Sequence, residues 1–161
     1  LVVLLNLLMG AQQNTLRWSD PWIDPFQKRR KFHDFQNELA EGVVFKHKDA
    51  PYITGRPASG GAQLKYKFVE TASVLVTTIN EQRSIGIGFI DRPETAGNVS
   101  IPSNHKIPPI GSVVEVRYLY AIPESHALYQ PVYLGEREDI DPCECVVGQL
   151  KFRKTPEKEA A

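Results

Sequence analysis

The sequence predicts an α+β protein in which one helix and two strands precede an all-β barrel. Three observations support this prediction. A capped amphipathic pattern covers residues 24–40, a loop rich in glycine and proline covers residues 49–62, and short strand-like segments separated by turn residues follow from residue 69 onward. We therefore expect a mixed segment at residues 1–68, a β domain at residues 69–155 and a short disordered tail.

A single helix is predicted over residues 24–40. Asp24 can act as its N-cap, Pro25 suits the first helical position, and Gln27 completes a capping-box pattern. Apolar side chains then recur at the spacing of one helix face, so we expect this face to pack on a sheet. The apolar stripe consists of Phe32, Phe35 and Leu39.

Charge is distributed unevenly along the chain, although the formal net charge is zero. Residues 1–67 carry 10 basic and 6 acidic residues, whereas residues 68–161 carry 9 basic and 13 acidic residues. A basic first part suits a polyanionic ligand such as a nucleotide or nucleic acid, and the acidic second part argues against a uniformly basic DNA-binding surface. The run KRRK at residues 28–31 favours a solvated helix face, with a nucleic-acid contact as the alternative.

Strands are predicted on both sides of the glycine-rich loop. Residues 43–45 are β-branched and aromatic, and residues 64–68 alternate apolar and basic side chains, which places Lys65 and Lys67 on the same face of one strand. About six further short strands with turns between them are typical of a small sandwich or barrel, and an OB-like barrel has about this number. They are predicted at residues 72–79, 84–90, 97–101, 113–120, 129–134 and 149–152.

The apolar run at the N-terminus does not predict membrane association, and the two cysteines do not predict a disulfide. The apolar run at residues 1–9 is far shorter than the roughly 20 residues of a membrane span and lacks the basic segment of a signal peptide, so we expect a core helix or strand that begins abruptly. Cys143 and Cys145 are too close for an unstrained disulfide and lack the second ligand pair of a zinc site. Two ordinary thiols indicate a reducing compartment, and we expect a cytoplasmic protein.

Candidate chemistry is confined to a few charged residues. Glu41 stands beside Gly42 directly before a predicted strand, where glycine allows a ligand to approach the backbone closely. Paired lysines such as Lys65 and Lys67 can neutralise phosphate charge, and a carboxylate can hold a divalent metal, although two exposed lysines can equally form a solvated strand face. The four histidines predict no nucleophilic triad, and the sequence contains no GxxxxGK[ST] phosphate loop and no HExxH motif.

Three short motifs occur in an order that resembles a known family. Residues 41–46 (EGVVFK) resemble the fourth nucleotidyltransferase motif of ATP-dependent DNA and RNA ligases and mRNA capping enzymes, and residues 64–67 (LKYK) resemble the fifth. Residues 131–139 (PVYLGERED) resemble the sixth motif of DNA ligases. Residues 97–102 and 114–120 are similar to parts of the OB domain of small ligases. The resemblance implies the end of a nucleotidyltransferase (adenylation) domain followed by an OB-fold domain.

The resemblance also implies roles for particular residues. Glu41 would help to bind the metal (Mg²⁺ or Mn²⁺) or the nucleotide near the reacting phosphate, and Lys65 and Lys67 would contact the α-phosphate of ATP and offset its developing charge. Arg137 and Asp139 would act from the OB domain when it closes over ATP, and would orient the pyrophosphate leaving group. The implied catalytic residues are Glu41, Lys65 and Lys67. The implied nucleotide-binding residues are Lys46, Lys65, Lys67, Arg137 and Asp139.

We therefore expect the C-terminal part of an ATP-dependent polynucleotide ligase, with DNA favoured over RNA as its substrate and nicked or broken nucleic acid as its partner. Such enzymes seal strand breaks through a lysyl-adenylate and an adenylylated 5′-phosphate. The family's nucleophilic Lys-x-Asp-Gly motif is absent, since residues 48–50 (KDA) do not match it, and Ile140 stands where the sixth motif has a basic residue. We expect a monomer that is truncated at its N-terminus and cannot form the enzyme-adenylate alone.

Two alternatives remain open at this stage. The first is an OB-type nucleic-acid-binding module without ligase chemistry, because such modules combine basic grooves with stacking aromatic side chains. The second is a fragment of a capping-type guanylyltransferase, which shares the fourth and fifth motifs, although the form of the sixth motif favours a ligase. The aromatic side chains that could stack on bases in the first alternative are Tyr118, Tyr120, Tyr129 and Tyr133.

Overall fold

The computed structural model describes residues 2–6, 24–51, 54 and 61–153. The chain divides into two compact units between Phe68 and Val69. The α+β class is confirmed. The first unit contains β1 (Val2–Asn6), α1 (Pro25–Asn37), β2 (Gly42–His47) and β3 (Gln63–Lys67). The second unit contains β4 (Glu70–Asn80), β5 (Ser84–Phe89), β6 (Arg92–Ser100), β7 (Val113–Tyr118), β8 (Tyr120–Ala121), β9 (Leu128–Tyr129), β10 (Val132–Arg137) and the 3₁₀ turns η1 (Pro142–Glu144) and η2 (Val147–Gln149).

Helix α1 begins as the capping signals predict. Asp24 is its N-cap, a carboxylate oxygen of Asp24 accepts a hydrogen bond from the backbone N–H of Gln27 at 2.8 Å, and Pro25 occupies the first turn. The helix ends earlier than predicted, because Leu39 adopts a left-handed φ of 58°. The N–H of Ala40 then bonds the carbonyl of Phe35 at 3.0 Å, as in a Schellman C-cap. The prediction that Leu39 extends the apolar stripe is therefore wrong, and its side chain is 42% exposed.

The first unit packs α1 on one face of a small antiparallel sheet of order β1-β2-β3. Phe35, Val43 and Phe68 are its buried apolar residues, and Phe32 packs against them from the helix. The rings of Phe32 and Phe68 meet edge to face with centroids 5.1 Å apart, a geometry that aromatic pairs favour. The predicted strands around residues 43–45 and 64–68 are confirmed as β2 and β3.

The second unit is a five-stranded antiparallel barrel of the OB type. The strand order is β10-β7-β4-β5-β6, and the outer strands β10 and β6 lie close together, so the sheet curls towards closure. Alternate residues of the central strands β4 and β7 point inward and form the core. Val74, Val76, Val114 and Val116 are each at most 1% exposed.

Several predicted strand limits are wrong in the second unit. The predicted strand at residues 97–101 is the end of the longer β6, and the strand predicted at 113–120 is divided into β7 and β8. Gln130, whose φ is 54°, separates β9 from β10 within the strand predicted at 129–134. Left-handed and extended residues cannot be distinguished from apolar periodicity alone, and this explains the missed interruption.

The strand predicted at residues 149–152 is replaced by η2 and a single bridge between Ala121 and Phe152. The side-chain amide of Gln149 instead pairs with the backbone of Ser73, accepting from its N–H and donating to its carbonyl, each at 3.0 Å. The Gln149 side chain thus satisfies the N–H and carbonyl of Ser73, which would otherwise bond to the backbone of a neighbouring strand. The predicted tail at residues 156–161 and most of the predicted loop at 49–62 lie outside the described residues.

Candidate functional site

The pairing of β2 with β3 brings three lysines to one face of the sheet. Gly42 pairs with Lys67 and Val44 pairs with Lys65, and Lys46 follows two positions after Val44. Directly opposed residues of an antiparallel pair share a face, as do residues two apart on one strand. Lys46, Lys65 and Lys67 therefore lie on the same face, which we name the lysine face.

The opposite face of these strands packs under helix α1. Val43 is 1% exposed in the first unit's core, and the ring of Tyr66 lies 5.3 Å from that of Phe32. Because the helix covers this face, the lysine face points the other way. Lys65 and Lys67 are exposed, and Lys46 is half-buried. An array of ammonium groups on one strand pair can neutralise the charge of a bound phosphate.

The backbone of β3 approaches Gly42 so closely that a side chain would not fit there. A Cβ placed at Gly42 would lie 2.1 Å from the carbonyl oxygen of Tyr66 and 2.9 Å from the Cα of Lys67. The sequence predicts that this glycine lets a ligand approach, and within the described residues the group that approaches it closely is the backbone of β3. Gly42 thus permits the close approach of β2 and β3 that sets the position of Lys67.

Glu41 lies immediately before β2, and its carbonyl accepts a hydrogen bond from the N–H of Phe68 at 2.9 Å. The side chain is half-buried. Among the described residues, no group of three or more His, Cys, Asp or Glu side chains could hold a metal ion. A single carboxylate is nevertheless compatible with Mg²⁺, since this ion is commonly held by one or two carboxylates together with substrate phosphates and water. Glu41 is thus compatible with a divalent metal whose other ligands come from a bound molecule and from water.

Arg137, in the barrel, is held by two carboxylates. Its Nε and Nη2 donate to Oδ1 and Oδ2 of Asp139 at 2.7 and 2.6 Å, and its Nη1 donates to Oε2 of Glu115 at 3.2 Å. The guanidinium beside Asp139 lowers the pKa of that carboxyl, and the hydrogen bond to Asp139 raises the pKa of Arg137. Asp139 was predicted to bind nucleotide, and in the structure its carboxylate engages Arg137.

Glu115 was not among the predicted site residues. Its only sequence signal is the alternation of residues 113–118, which predicts that Glu115 and Arg117 face the same way. That alternation is confirmed, because Val114 and Val116 point into the core while Glu115 and Arg117 do not. A contact between Glu115 and Arg137, 22 residues apart, depends on strand pairing and could not be read from local spacing.

The four tyrosines proposed for base stacking are mostly unavailable. Tyr118, Tyr120 and Tyr133 are 1%, 8% and 6% exposed. Tyr129 is 37% exposed, but its ring stacks on Tyr120 at 4.7 Å with an interplanar angle of 7°. Burial in the barrel therefore removes three of the four rings from contact with a base.

Neither cysteine is activated. Cys143 and Cys145 are both free thiols, exposed and buried respectively. Burial raises the pKa of Cys145 to about 11, and the neighbouring Asp141 raises the pKa of Cys143, so both remain protonated near neutral pH. Within the described part of the chain, the single helix is too short and too polar to cross a membrane.

The fold is similar to solved structures of ligases. A Lig E DNA ligase, studied for DNA binding with a minimal scaffold, shares 21% identity over 68% of this chain and 45% of its own, with a TM-score of 0.51. A protein described as Pmar-Lig_Pre shares 18% identity over 72% of this chain and 32% of its own, with a TM-score of 0.54. The ligase domain of LigD from M. tuberculosis shares 24% identity over 73% of this chain and 50% of its own, with a TM-score of 0.40.

The resemblance to ligases is thereby confirmed for the fold, and this conclusion depends on the first two structures. No protein-family model matches the sequence, and no curated protein matches it. The chain spans half the length or less of each of these three solved chains.

Proposed function

We propose that this chain is the C-terminal part of an ATP-dependent ligase that joins nicked or broken DNA through a lysyl-adenylate and an adenylylated 5′-phosphate. The observation that carries the proposal is the β2–β3 register, which places Lys46, Lys65 and Lys67 on one face, away from α1. The ligase-like fold around these strands and the order of the three motifs support it further.

The lysine face supplies the electrostatic part of adenylyl transfer. Negative charge develops on the α-phosphate as the reaction proceeds, and preorganised cations stabilise that charge without rearranging. Lys65 and Lys67 are two residues apart on an exposed strand, so both ammonium groups can approach one phosphate. Lys46, one strand away on the same face, is the further nucleotide contact.

Glu41 is the residue that would hold a divalent metal, in company with phosphate oxygens. Such an ion would supply positive charge that offsets the negative charge of the phosphates. Glu41 lies directly before the strand that carries Lys46 and next to the pair of Gly42 with Lys67, so the carboxylate and the lysines belong to one pair of strands. In the barrel, Arg137 is the residue that would contact the pyrophosphate leaving group, and Asp139 holds it by two hydrogen bonds.

Nucleotide binding to the chain tests the proposal. Calorimetric titration with ATP and Mg²⁺ should show binding that Lys65→Ala and Lys67→Ala each weaken by about tenfold or more, as expected for loss of a hydrogen bond between charged groups. Lys48→Ala is the matched control, because Lys48 is an exposed lysine in the turn directly after β2. Equal effects of all three substitutions would contradict a specific role of the lysine face.

A second measurement addresses the covalent step. Incubation with ATP labelled at the α-phosphate should leave no label on this chain, because it contains no Lys-x-Asp-Gly motif. A lysyl-adenylate found by mass spectrometry on any lysine would refute this part of the proposal. Tighter binding of GTP than of ATP would favour the capping-type guanylyltransferase.

A nucleic-acid-binding module is the second candidate, favoured by the exposed Tyr129 and by Arg153, whose guanidinium carbon lies 5.7 Å from the Tyr120 ring centroid. Such modules combine stacking with cationic contacts. This function predicts salt-sensitive binding of single-stranded DNA that Tyr129→Ala weakens, together with no measurable affinity for ATP. ATP binding that depends on Lys65 would exclude it as the sole function.

A further inference from the structure

A β-bulge decides which way Arg137 points. Tyr133 pairs with Val116 on the core face, and without an irregularity residues 135 and 137 would also face the core by alternation. The register shifts between Tyr133 and Gly135, so Gly135 pairs with Glu115 and Arg137 pairs with Val113. A bulge of this kind re-aims the side chains that follow it. Arg137 therefore shares the outer side of the barrel with Glu115.

Glu115 is itself fixed from the next strand. Ser73 pairs with Glu115 in the β4–β7 register, and the Ser73 hydroxyl donates to Oε2 of Glu115 at 2.8 Å. The backbone of Ser73 is in turn held on both sides by the amide of Gln149. Only 17% of the Glu115 side chain is exposed. A chain of hydrogen bonds thus runs from Gln149 through Ser73 and Glu115 to Arg137.

The three hydrogen bonds to carboxylates leave part of the guanidinium available. Arginine carries five N–H donors in one rigid plane, and Asp139 and Glu115 accept from three of them. The two carboxylates engage different nitrogens, so both the position and the tilt of the plane are restrained. Two N–H groups remain for an incoming anion, and bidentate donors of this type suit phosphate.

We propose that Glu115 is the positioning residue for Arg137, holding its guanidinium ready for the pyrophosphate portion of a nucleotide. The inference depends on the proposed function for the identity of the ligand. Its physical basis is preorganisation: a restrained side chain loses less conformational freedom when it binds. Glu115 would act through Arg137 and would not touch the nucleotide.

Coulomb attraction and positioning predict opposite effects of removing Glu115. Two carboxylates around one guanidinium leave a local charge of −1, so loss of a carboxylate should strengthen anion binding if charge alone matters. If Glu115 positions Arg137, its loss should weaken anion binding despite the more favourable charge. The sign of the change therefore distinguishes the two mechanisms.

The test is a titration of the whole chain with inorganic pyrophosphate, followed by amide NMR shifts. Arg137→Ala should weaken binding by about tenfold or more, and Glu115→Ala by about three- to tenfold. Glu115→Gln removes the same charge but keeps an acceptor for Arg137, so its affinity should stay within about twofold of the original. Glu136→Ala is the control, since it removes an exposed carboxylate of β10 and should strengthen binding slightly or leave it unchanged.

A spectroscopic readout separates positioning from stability. The ¹⁵Nη–¹H resonances of Arg137 should be resolved because Glu115 holds Nη1, should broaden in Glu115→Ala and should persist in Glu115→Gln. If Glu115→Ala unfolds the barrel, Ser73→Ala provides the same test, because it removes only the hydrogen bond that the Ser73 hydroxyl donates to Glu115. Ser73→Ala should weaken pyrophosphate binding by less than the three- to tenfold expected for Glu115→Ala.

Results for Glu115→Ala bear on the positioning of Arg137, whereas results for Arg137→Ala bear on the proposed nucleotide binding. Tighter pyrophosphate binding by Glu115→Ala, or unchanged Arg137 resonances, would overturn the positioning role while leaving Arg137 as a phosphate contact. If Arg137→Ala binds pyrophosphate as well as the original chain, the role proposed for the barrel in nucleotide binding fails, whereas the resonances still report whether Glu115 restrains Arg137.

Discussion

The barrel and the helix–sheet unit before it are built on very different cores. Sixteen buried residues form one apolar cluster in the barrel, whereas three buried residues form the cluster of the first unit among the described residues. Buried apolar area is the main favourable contribution to folding, so the barrel has the larger reserve of stability. The charged side chains that we assign to phosphate chemistry nevertheless lie in both units.

The difference shows two ways of holding a cation in place. Lys65 and Lys67 stand on exposed positions of a strand, and the backbone fit at Gly42 determines where that strand lies. Arg137 projects from a well-packed barrel and is restrained by side-chain hydrogen bonds from Asp139 and Glu115. We therefore expect the lysine face to be sensitive to the backbone of its hairpin, and Arg137 to be sensitive to its neighbouring carboxylates.

The largest expected effect is on the small core. Phe35→Ala should destabilise the first unit by about 3–5 kcal/mol, because truncating a buried aromatic ring removes apolar contacts and leaves a cavity. The barrel should remain folded, as judged from its amide NMR spectrum. Phe26→Ala is the matched control on the same helix, since Phe26 is 74% exposed and its loss should change stability by less than about 0.5 kcal/mol. Simultaneous loss of the barrel signals would contradict two separate cores.

Truncation of a buried side chain in the barrel tests the stability of the larger core. Ile87 is 0% exposed, and Ile87→Ala should lower the free energy of unfolding of the barrel by about 2–5 kcal/mol in urea denaturation. Ile79 of β4 is 50% exposed, so Ile79→Ala should have an effect of about 0.5 kcal/mol or less. If both substitutions destabilised the barrel equally, Ile79 would belong to the barrel core in solution.

The backbone fit at Gly42 can be tested by adding one methyl group. Gly42→Ala should cost about 1–3 kcal/mol, because the new Cβ would overlap the carbonyl oxygen of Tyr66 and force β2 and β3 apart. Hydrogen exchange of the β3 amides should accelerate, and the affinity for ATP should fall with it. A Cβ at Gly148 would meet no atom of the described residues within 4 Å, so Gly148→Ala should leave both measurements unchanged.

The smallest expected effect concerns pH. Arg137 lowers the pKa of Asp139 in the folded chain, so this pair stabilises the fold at pH values above the ordinary carboxyl pKa of 3.8. The contribution is lost as the pH falls through the depressed folded pKa. An NMR titration of the Asp139 carboxyl carbon should show its pKa rising towards 3.8 in Arg137→Ala. An unchanged pKa would mean that the ion pair is not formed in solution.

Sequence pattern was sufficient for the elements that have strong local signals. The cap at Asp24 predicted the start of α1, and the change from helical to strand periodicity near Gly42 predicted β2. The alternation of apolar and basic residues around Lys65 and Lys67 predicted β3. Predictions failed where the deciding residue adopts a left-handed conformation, as at Leu39 and Gln130. They failed again at residues 149–152, where Gln149 bonds the distant Ser73 in place of a strand partner.

The candidate site likewise has features that follow from local sequence pattern and features that depend on tertiary structure. The spacing of Lys65 and Lys67 predicted that they share one face of a strand, since period-two alternation is a local property of the chain. Their phosphate-binding role was implied by the resemblance to ligase motifs and stays a prediction. The orientation of Arg137 and its contact with Glu115 depended on a bulge and on the pairing of β7 with β10. Register and long-range hydrogen bonds arise from how the whole barrel packs, and a shift of one residue reverses every side chain that follows.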